Sequence, residues 1–282
     1  MTFTRKQTGL LLFLAALFFG FTLLHASWLA DAPKGKPKLI AGQAVDPVRD
    51  AAGCIATANG GYGSVAVGPD VSALQGAAGA QADAVRITTE VADGVLVLAR
   101  QFKSDCAADN VRPRSTMAEA ATGMTKPQLF WQIKGADQAA MLLTELSAVP
   151  DALDRSVIIG DDAALAAIRQ ARSKAWAFSI AGAQACASDY RLSGMWGSVP
   201  ASCKDGTMLL TLDDLGYTLW GWPNRFLARM RDAGVRVIVA EDVVDGQIKG
   251  LSDVNQYGDI ADSYNGHIWV DNIVDLGPAL RR

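Results

Sequence analysis

The chain has 282 residues, of which half are hydrophobic and one fifth are charged, and its formal net charge is −3. It carries no basic stripe, so nucleic acid is not expected as a partner. Only two histidines occur, and His267 is the only one after residue 30. Because histidine is the usual general acid or base and a common metal ligand, this composition disfavours catalysis by a histidine cluster.

The N-terminal segment has the pattern of an export signal. Arg5 and Lys6 precede an apolar run at residues 9–24, and weaker apolar character continues to residue 30. The small residues that follow fit a signal-peptide cleavage site, although Pro33 is a poor neighbour for cleavage. An uncleaved anchor needs about 20 apolar residues, which this segment supplies, and an anchor is the favoured interpretation.

The chain is therefore predicted to have three parts. Residues 1–32 are a signal anchor or signal peptide, residues 33–37 are a basic linker, and residues 38–282 form one folded domain. Because a basic flank stays in the cytoplasm, the domain is expected in the periplasm. It is held at the inner membrane by the anchor, or it is free if the leader is cleaved.

All four cysteines lie in the predicted domain, and none forms a C-x-x-C motif, which disfavours a zinc ribbon or a thioredoxin site. An even number of cysteines in an oxidising compartment indicates two disulfides. Four cysteines allow three pairings, and pairing between sequence neighbours, Cys54 with Cys106 and Cys186 with Cys203, is favoured. Buried free thiols are the alternative.

Strand patterns alternate with helix patterns along the domain. Residues 84–91 alternate and are rich in β-branched side chains, and an Asp-Gly turn leads to residues 95–98, which predicts a hairpin. Asp161 opens a helix with an acidic first turn, and Asn224 is a candidate N-cap for a later one. Core strands are predicted to begin near residues 38, 84, 129, 156, 175, 207, 235 and 267.

Eight core strands separated by helices predict a parallel α/β architecture, and the number eight favours a (β/α)₈ barrel. A doubly wound open sheet is the alternative, but no G-x-G-x-x-G motif follows the first strand. In a barrel of this kind the functional site lies at the carboxyl ends of the strands.

Three stretches resemble the glycerophosphodiester phosphodiesterases, particularly exported bacterial members with an N-terminal membrane segment. The most specific is LWGWPNRFLARM at residues 219–230. Residues 186–203, with Gly-Ser-Val-Pro before the second cysteine, and residues 268–278 support it. The resemblance covers about residues 38–278 and implies a (β/α)₈ barrel, in agreement with the strand count.

The resemblance also implies chemistry for which this sequence lacks the residues. The family uses His-Arg after the first strand, Glu-x-Asp on the second and His-Asp after the hairpin strand, and its carboxylates hold calcium or magnesium. The corresponding positions here are Gly42 and Gln43, Arg86 and Thr88, and Arg100 and Gln101. No catalytic residue and no metal site are therefore predicted. No cofactor is expected, and calcium or magnesium would be expected only if the chain is an enzyme after all.

The substitutions place positive charge at the predicted barrel mouth. Arg86 and Arg100 stand where the family has carboxylate or histidine, and Gln132 and Lys134 end the third strand. Because guanidinium groups bind phosphate through paired hydrogen bonds, these four residues predict a metal-free anion pocket. Pairing of Arg86 with a local acid, with no further role, is the alternative.

Three other residues bear on binding at the barrel. Trp220 and Trp222 are candidates for stacking a polyol or a quaternary ammonium headgroup at the mouth. Anchoring of the core or of a loop is the commoner role of such residues. His267 begins the last strand, at the opposite face, and is expected to be a structural histidine whose hydrogen bonds are satisfied.

The sequence therefore favours a degenerate glycerophosphodiester phosphodiesterase-like protein that does not hydrolyse its ligand. It would bind a phosphodiester or other anionic headgroup, or serve as a scaffold at the cell envelope. The alternative is a divergent phosphoric diester hydrolase acting on glycerophosphodiesters in lipid metabolism, with catalytic groups drawn from Arg86, Arg100, Lys134 and the acidic loops.

Overall fold

The computed structural model describes most of the chain. The described ranges are residues 5–42, 55–56, 62–63, 79–98, 116–124, 126–204, 206–216 and 219–281. The predictions for Gln43, Arg100, Gln101 and a disulfide between Cys54 and Cys106 concern residues outside these ranges.

Strands and helices alternate along the described residues. The strands are β1 Lys38–Ala41, β2 Ile55–Ala56, β3 Tyr62–Gly63, β4 Ala84–Ala92, β5 Val95–Leu98, β6 Gln128–Gln132, β7 Ser156–Ile159, β8 Trp176–Phe178, β9 Thr207–Thr211, β10 Arg236–Ala240, β11 Asp242–Val244, β12 Gln247–Lys249 and β13 His267–Val270. The helices are α1 Arg5–His25, α2 Met117–Gly123, α3 Gly135–Ser147, α4 Asp162–Ala171, α5 Ile180–Ser193, α6 Asn224–Asp232, α7 Val254–Tyr257 and α8 Ile273–Arg281.

Among the described residues, eight strands run parallel in the order β8-β7-β6-β4-β1-β13-β10-β9. Each begins within one residue of its predicted position, and β5 pairs antiparallel with β4 as the predicted hairpin. The two ends of the path are bridged by a hydrogen bond of 2.8 Å from Trp176 Nε1 to Thr207 Oγ1. The strands therefore form the nearly closed (β/α)₈ barrel that the sequence predicts.

Side chains on each strand alternate between the barrel interior and the layer under the helices. At middle height the interior is apolar and fully buried, and its members include Ile40, Phe130, Ile238 and Trp269. The inward positions two residues before and after this layer lie at the two open ends of the barrel. The strands begin at its amino end and finish at its carboxyl end.

One of the two predicted helix starts is confirmed. Asp161 is the N-cap of α4, where its carboxylate accepts a hydrogen bond of 2.9 Å from the Ala164 amide. The prediction for Asn224 was wrong, because Pro223 holds the N-cap position of α6 without a side-chain cap. The Asn224 amide oxygen instead accepts a hydrogen bond of 2.6 Å from Ser263 Oγ.

The carboxyl end of α1 packs on the outer layer of the barrel. Arg229 Nη2 donates to Leu24 O at 2.5 Å, and the Trp220 ring meets the rings of Phe21 and His25 at centroid distances of 5.7 and 5.0 Å. Within the part of the chain that the structure describes, no helix is long and apolar enough to cross a membrane.

The predicted bond between Cys186 and Cys203 is present. It joins α5 to the loop before β9, with Cα atoms 5.0 Å apart, and both residues are buried. Closing a loop of this length stabilises a fold by about 3 kcal/mol in the chain-entropy model.

Candidate functional site at the barrel mouth

Polar groups reach the carboxyl end of the barrel from four strands. Gly42 follows β1, Arg86 faces inward from β4, Gln132 ends β6 and Asp271 follows β13. The carboxyl ends of parallel strands meet at one opening, which is where barrels of this class place their sites. These residues define the mouth.

The neighbours of Gly42 leave no space for a side chain. A Cβ atom at this position would lie 2.2 Å from Asp271 Oδ1 and 2.3 Å from Trp269 Nε1, well inside van der Waals contact. A histidine here would have to displace both side chains. The resemblance implies a catalytic histidine of the family at this position, and the packing around Gly42 would not admit one without rearrangement.

Arg86 is a partly buried cation beside an aromatic ring. Its Cζ lies 6.0 Å from the ring centroid of Trp269, at the outer limit of a cation–π contact. Burial lowers the pKa of the Arg86 guanidinium, and the negative charge of Asp271 opposes that shift. Burial in turn raises the pKa of Asp271. Two groups oppose this shift: the Gly250 amide, which donates to Oδ2 at 2.9 Å, and the positive charge of Arg86.

The indole of Trp269 carries a donor without an acceptor. Its Nε1 atom is buried and has no hydrogen-bond partner among the residues that the structure describes. An unpaired buried donor is costly, by about 1–3 kcal/mol, and therefore rare in folded proteins. Sequence reasoning missed this group. Trp269 lies two residues from both His267 and Asp271, and residues two apart on a strand face the same side, so it could have been placed in the interior.

A second hairpin, formed by β11 and β12, covers the mouth. Ile248 is buried in the same apolar cluster as the barrel interior, and Gln132 Nε2 donates to Gln247 Oε1 at 3.3 Å. Asp245 and Gly246 both have positive φ, of 50° and 71°, as a type I′ turn requires. Sequence reasoning missed this hairpin, although its Asp-Gly pair between β-branched and apolar residues is a turn signal.

The remaining predicted site residues do not all meet at the mouth. Lys134 is exposed just before α3, where its backbone amide donates to Gln138 Oε1 at 2.8 Å. Trp220 donates from Nε1 to Arg191 O and packs on α1, and Trp222 packs against Phe226. Both tryptophans therefore lie in the outer helical layer, and the structure does not bring these two candidates to the mouth.

The described residues of the mouth offer few of the oxygen ligands that the divalent cation implied by the resemblance would need. Such ions bind several oxygen ligands, mostly carboxylates, but β4 presents the Arg86 guanidinium and the Thr88 hydroxyl there. The Glu241 carboxylate after β10 is paired with Lys249. Within the described ranges, no group of three or more histidine, cysteine or acidic side chains is placed to hold a metal ion.

Solved structures with this fold include three phosphodiesterases. The glycerophosphoryl diester phosphodiesterase domain of a Mycobacterium tuberculosis protein aligns over 88% of this chain and 100% of its own, with a TM-score of 0.57 and 14% identity. A glycerophosphodiester phosphodiesterase from Agrobacterium tumefaciens aligns over 88% of this chain and 99% of its own, with a TM-score of 0.54 and 13% identity. A glycerophosphoryl diester phosphodiesterase from Parabacteroides distasonis aligns over 93% of this chain and 91% of its own, with a TM-score of 0.51 and 14% identity.

At these identities the likeness is one of fold. No protein-family model matches the sequence, and no curated protein is similar to it. The chain therefore has the barrel fold of the glycerophosphodiester phosphodiesterases.

Proposed function

We propose that this protein uses the phosphodiesterase barrel without hydrolysing phosphodiesters, and that it binds an anionic headgroup at the mouth. The observation that carries the proposal is the packing around Gly42. Asp271 and Trp269 occupy the space that a catalytic histidine would need. A mechanism with general acid and base catalysis from histidine cannot run through this position.

Binding of an anion is supported by donor groups on two neighbouring side chains, since Arg86 Cζ lies 6.0 Å from the ring centroid of Trp269. Arg86 has an electrostatic neighbour in Asp271 but no ion pair among the described residues, and the nearby Trp269 Nε1 has no acceptor. A phosphodiester has one negative charge and two free oxygens, so it could accept from both groups. The β11–β12 hairpin would have to move aside to admit it. If the hairpin stays closed, no ligand enters, and the protein would instead serve as a scaffold at the envelope.

Hydrolysis and binding are tested with the purified full-length chain. Glycerophosphodiesters are offered with calcium or magnesium and again with chelator, and no turnover is expected in either condition. Metal-dependent turnover would contradict the proposal. Binding of a glycerophosphodiester is then compared between Arg86→Glu, expected to lose at least tenfold in affinity, and Arg231→Glu, an exposed control on α6.

The alternative, a divergent hydrolase, is favoured by the two carboxylates at the mouth. Burial raises the pKa of Asp271, and its carboxylate and that of Glu241 influence each other electrostatically. Paired carboxylates with separated pKa values can divide acid and base roles. If turnover is found, Asp271→Asn should abolish it without loss of the fold, and retained turnover in that variant would exclude this assignment.

The cellular location is part of the same proposal. Several large apolar side chains of α1 face outwards, and Phe18 and Leu12 are 75% and 67% exposed. An apolar surface of this kind needs a lipid or protein cover. We place the barrel in the periplasm, anchored at the inner membrane or released by cleavage. Fractionation of cells with and without residues 1–32 tests this.

A further inference from the structure

A cavity bordered by several cationic side chains lies at the amino end of the barrel, opposite the mouth. It has a volume of about 750 Å³. A volume in the range of roughly 300–1,000 Å³ suits a small-molecule ligand. Five of the residues that border it begin strands and face the barrel interior: Lys38, Gln128, Trp176, Arg236 and His267. The lowest inward layer of the barrel is thus polar and cationic.

The charge around this cavity is strongly unbalanced. Lys38, Lys174 and Arg236 border it, and in the part of the chain that the structure describes no acidic side chain pairs with any of them. The one acidic side chain on its border, Asp154, is paired with Arg172 at 2.6 Å. Three cations without a counter-charge therefore face one space.

Arg236 is held by an aromatic platform. Its Cζ lies 4.8 Å from the ring centroid of Trp176, and the indole is fixed in turn by its hydrogen bond to Thr207 Oγ1. Stacking of a guanidinium on a ring leaves its in-plane N–H groups free to bind an anion in the paired geometry that phosphate accepts. The platform thus orients Arg236 before any ligand arrives.

His267 borders the same cavity and already responds to this charge. Its pKa is lowered to about 4, mainly by burial and further by the charges of Lys38 and Arg236. A hydrogen bond to the Val237 carbonyl opposes this shift. Its buried Nε2 atom has no partner in the described part of the chain, and its ring meets the Trp176 ring edge-on at a centroid distance of 5.0 Å. The expectation that this histidine is satisfied was therefore wrong for one of its two ring nitrogens.

We propose that this amino-end cavity, bordered by Lys38, Lys174, Arg236 and His267, is a second binding site that takes the phosphate group of a small molecule or of a lipid headgroup. The site is independent of the mouth, because it shares no residue with Gly42, Arg86, Gln132 or Asp271. It uses two point charges and one oriented guanidinium, and the bound anion offsets the repulsion among the three cations.

The test follows the two imidazole signals of the full-length chain by NMR, with inorganic phosphate as the probe at constant ionic strength. The chain has two histidines, and His25→Gln identifies which signal belongs to His267. Saturable binding is expected with a Kd in the millimolar range or tighter. The pKa of His267 should rise from about 4 towards its ordinary value as phosphate is added, because the anion cancels the charges that lower it.

Two arginine variants decide the assignment. Arg236→Gln should weaken phosphate binding at least tenfold, whereas Arg231→Gln, a largely exposed arginine paired with Asp232, should leave it unchanged. Far-UV circular dichroism checks that both variants are folded. Absence of a saturable response up to about 20 mM phosphate, weaker than the millimolar binding expected, would overturn the proposal. An Arg236→Gln variant that binds phosphate as tightly as the parent would overturn it equally.

A competition experiment then distinguishes the two sources of the phosphate group. Glycerol 3-phosphate is bound first, and vesicles of phosphatidylglycerol or of phosphatidylcholine are added. Displacement by phosphatidylglycerol alone supports a lipid headgroup as the ligand. Retention of glycerol 3-phosphate in the presence of both vesicles supports a soluble phosphorylated compound.

Discussion

At the carboxyl end of the barrel the interior is closed by Trp269 and Ile248, with Gly42 packed against its neighbours, whereas at the amino end Lys38, Arg236 and His267 border an open cavity. Barrels of this class normally reverse that arrangement, with the site at the carboxyl end and the amino end devoted to stability. The comparison shows that the inward-facing residues of one set of strands can be packed and apolar at one end of the barrel and polar at the other. A barrel's open end is decided by side chains and loops rather than by its topology.

The largest expected effect on stability comes from removing the buried indole of Trp269 from the barrel interior. Trp269→Ala removes a fully buried indole from the barrel interior and should lower the free energy of unfolding by about 3–5 kcal/mol. Urea denaturation followed by circular dichroism measures it. Trp196→Ala is the matched control, because that ring is 75% exposed and its loss should cost less than about 0.5 kcal/mol. Equal costs for the two variants would contradict the closed interior.

The amino end should make stability depend on pH. The folded-state pKa of His267 is about 4, below its ordinary value of 6.5, so the unfolded chain binds a proton first as the pH falls. The free energy of unfolding should therefore decrease from pH 6.5 down to about 4, by roughly 2–3 kcal/mol for this group. His267→Gln should remove this part of the slope, and His25→Gln should leave it in place. Denaturation curves at a series of pH values measure the slope in each variant.

The tight packing at Gly42 predicts an intermediate effect. Gly42→Ala forces a methyl group into the space of Asp271 and Trp269 and should cost about 1–3 kcal/mol of unfolding free energy, measured by thermal denaturation. Gly20→Ala serves as the control, since a Cβ atom at that position would meet nothing within 4 Å and alanine favours a helix. A neutral Gly42→Ala would show that the mouth has room for a side chain.

The smallest effect concerns the hairpin over the mouth. Ile248→Val should weaken its hold on the barrel interior by about 1 kcal/mol, so amide hydrogen exchange in β11 and β12 should become roughly fivefold faster. Val244→Ala, at a position 49% exposed on the same hairpin, should change exchange little. Exchange that stays unchanged in Ile248→Val would mean that this side chain does not hold the hairpin closed.

The barrel could be predicted from the sequence because each core strand carries its own local signal. Runs such as residues 156–159 and 236–240 are short, apolar and β-branched, and their spacing alone led to the correct count. Which side chains meet at the two ends of the barrel could not be predicted in the same way. Which residues meet there depends on how neighbouring strands are staggered, and that register is set by pairing across the whole barrel.

Two residues show where sequence reasoning stopped. Trp222 was a candidate for the mouth, with anchoring of the core or of a loop as its commoner role, and the structure packs its ring on Phe226. His267 was correctly placed at the opposite face, but its surroundings come from four other strands: Lys38 from β1, Gln128 from β6, Trp176 from β8 and Arg236 from β10. No local pattern brings those residues together.

The contacts of α1 with the outer layer matter for the stability of the barrel. Arg229 donates to Leu24 O as well as to Tyr190 Oη and Trp220 O, so one guanidinium joins α1 to α5 and to the loop before α6. Removal of α1 would uncover the Trp220 ring and leave Arg229 with fewer acceptors. The tryptophan fluorescence of the chain with and without residues 5–25 should therefore differ, and a substitution at the carboxyl end of α1 can destabilise the barrel as long as the helix stays attached.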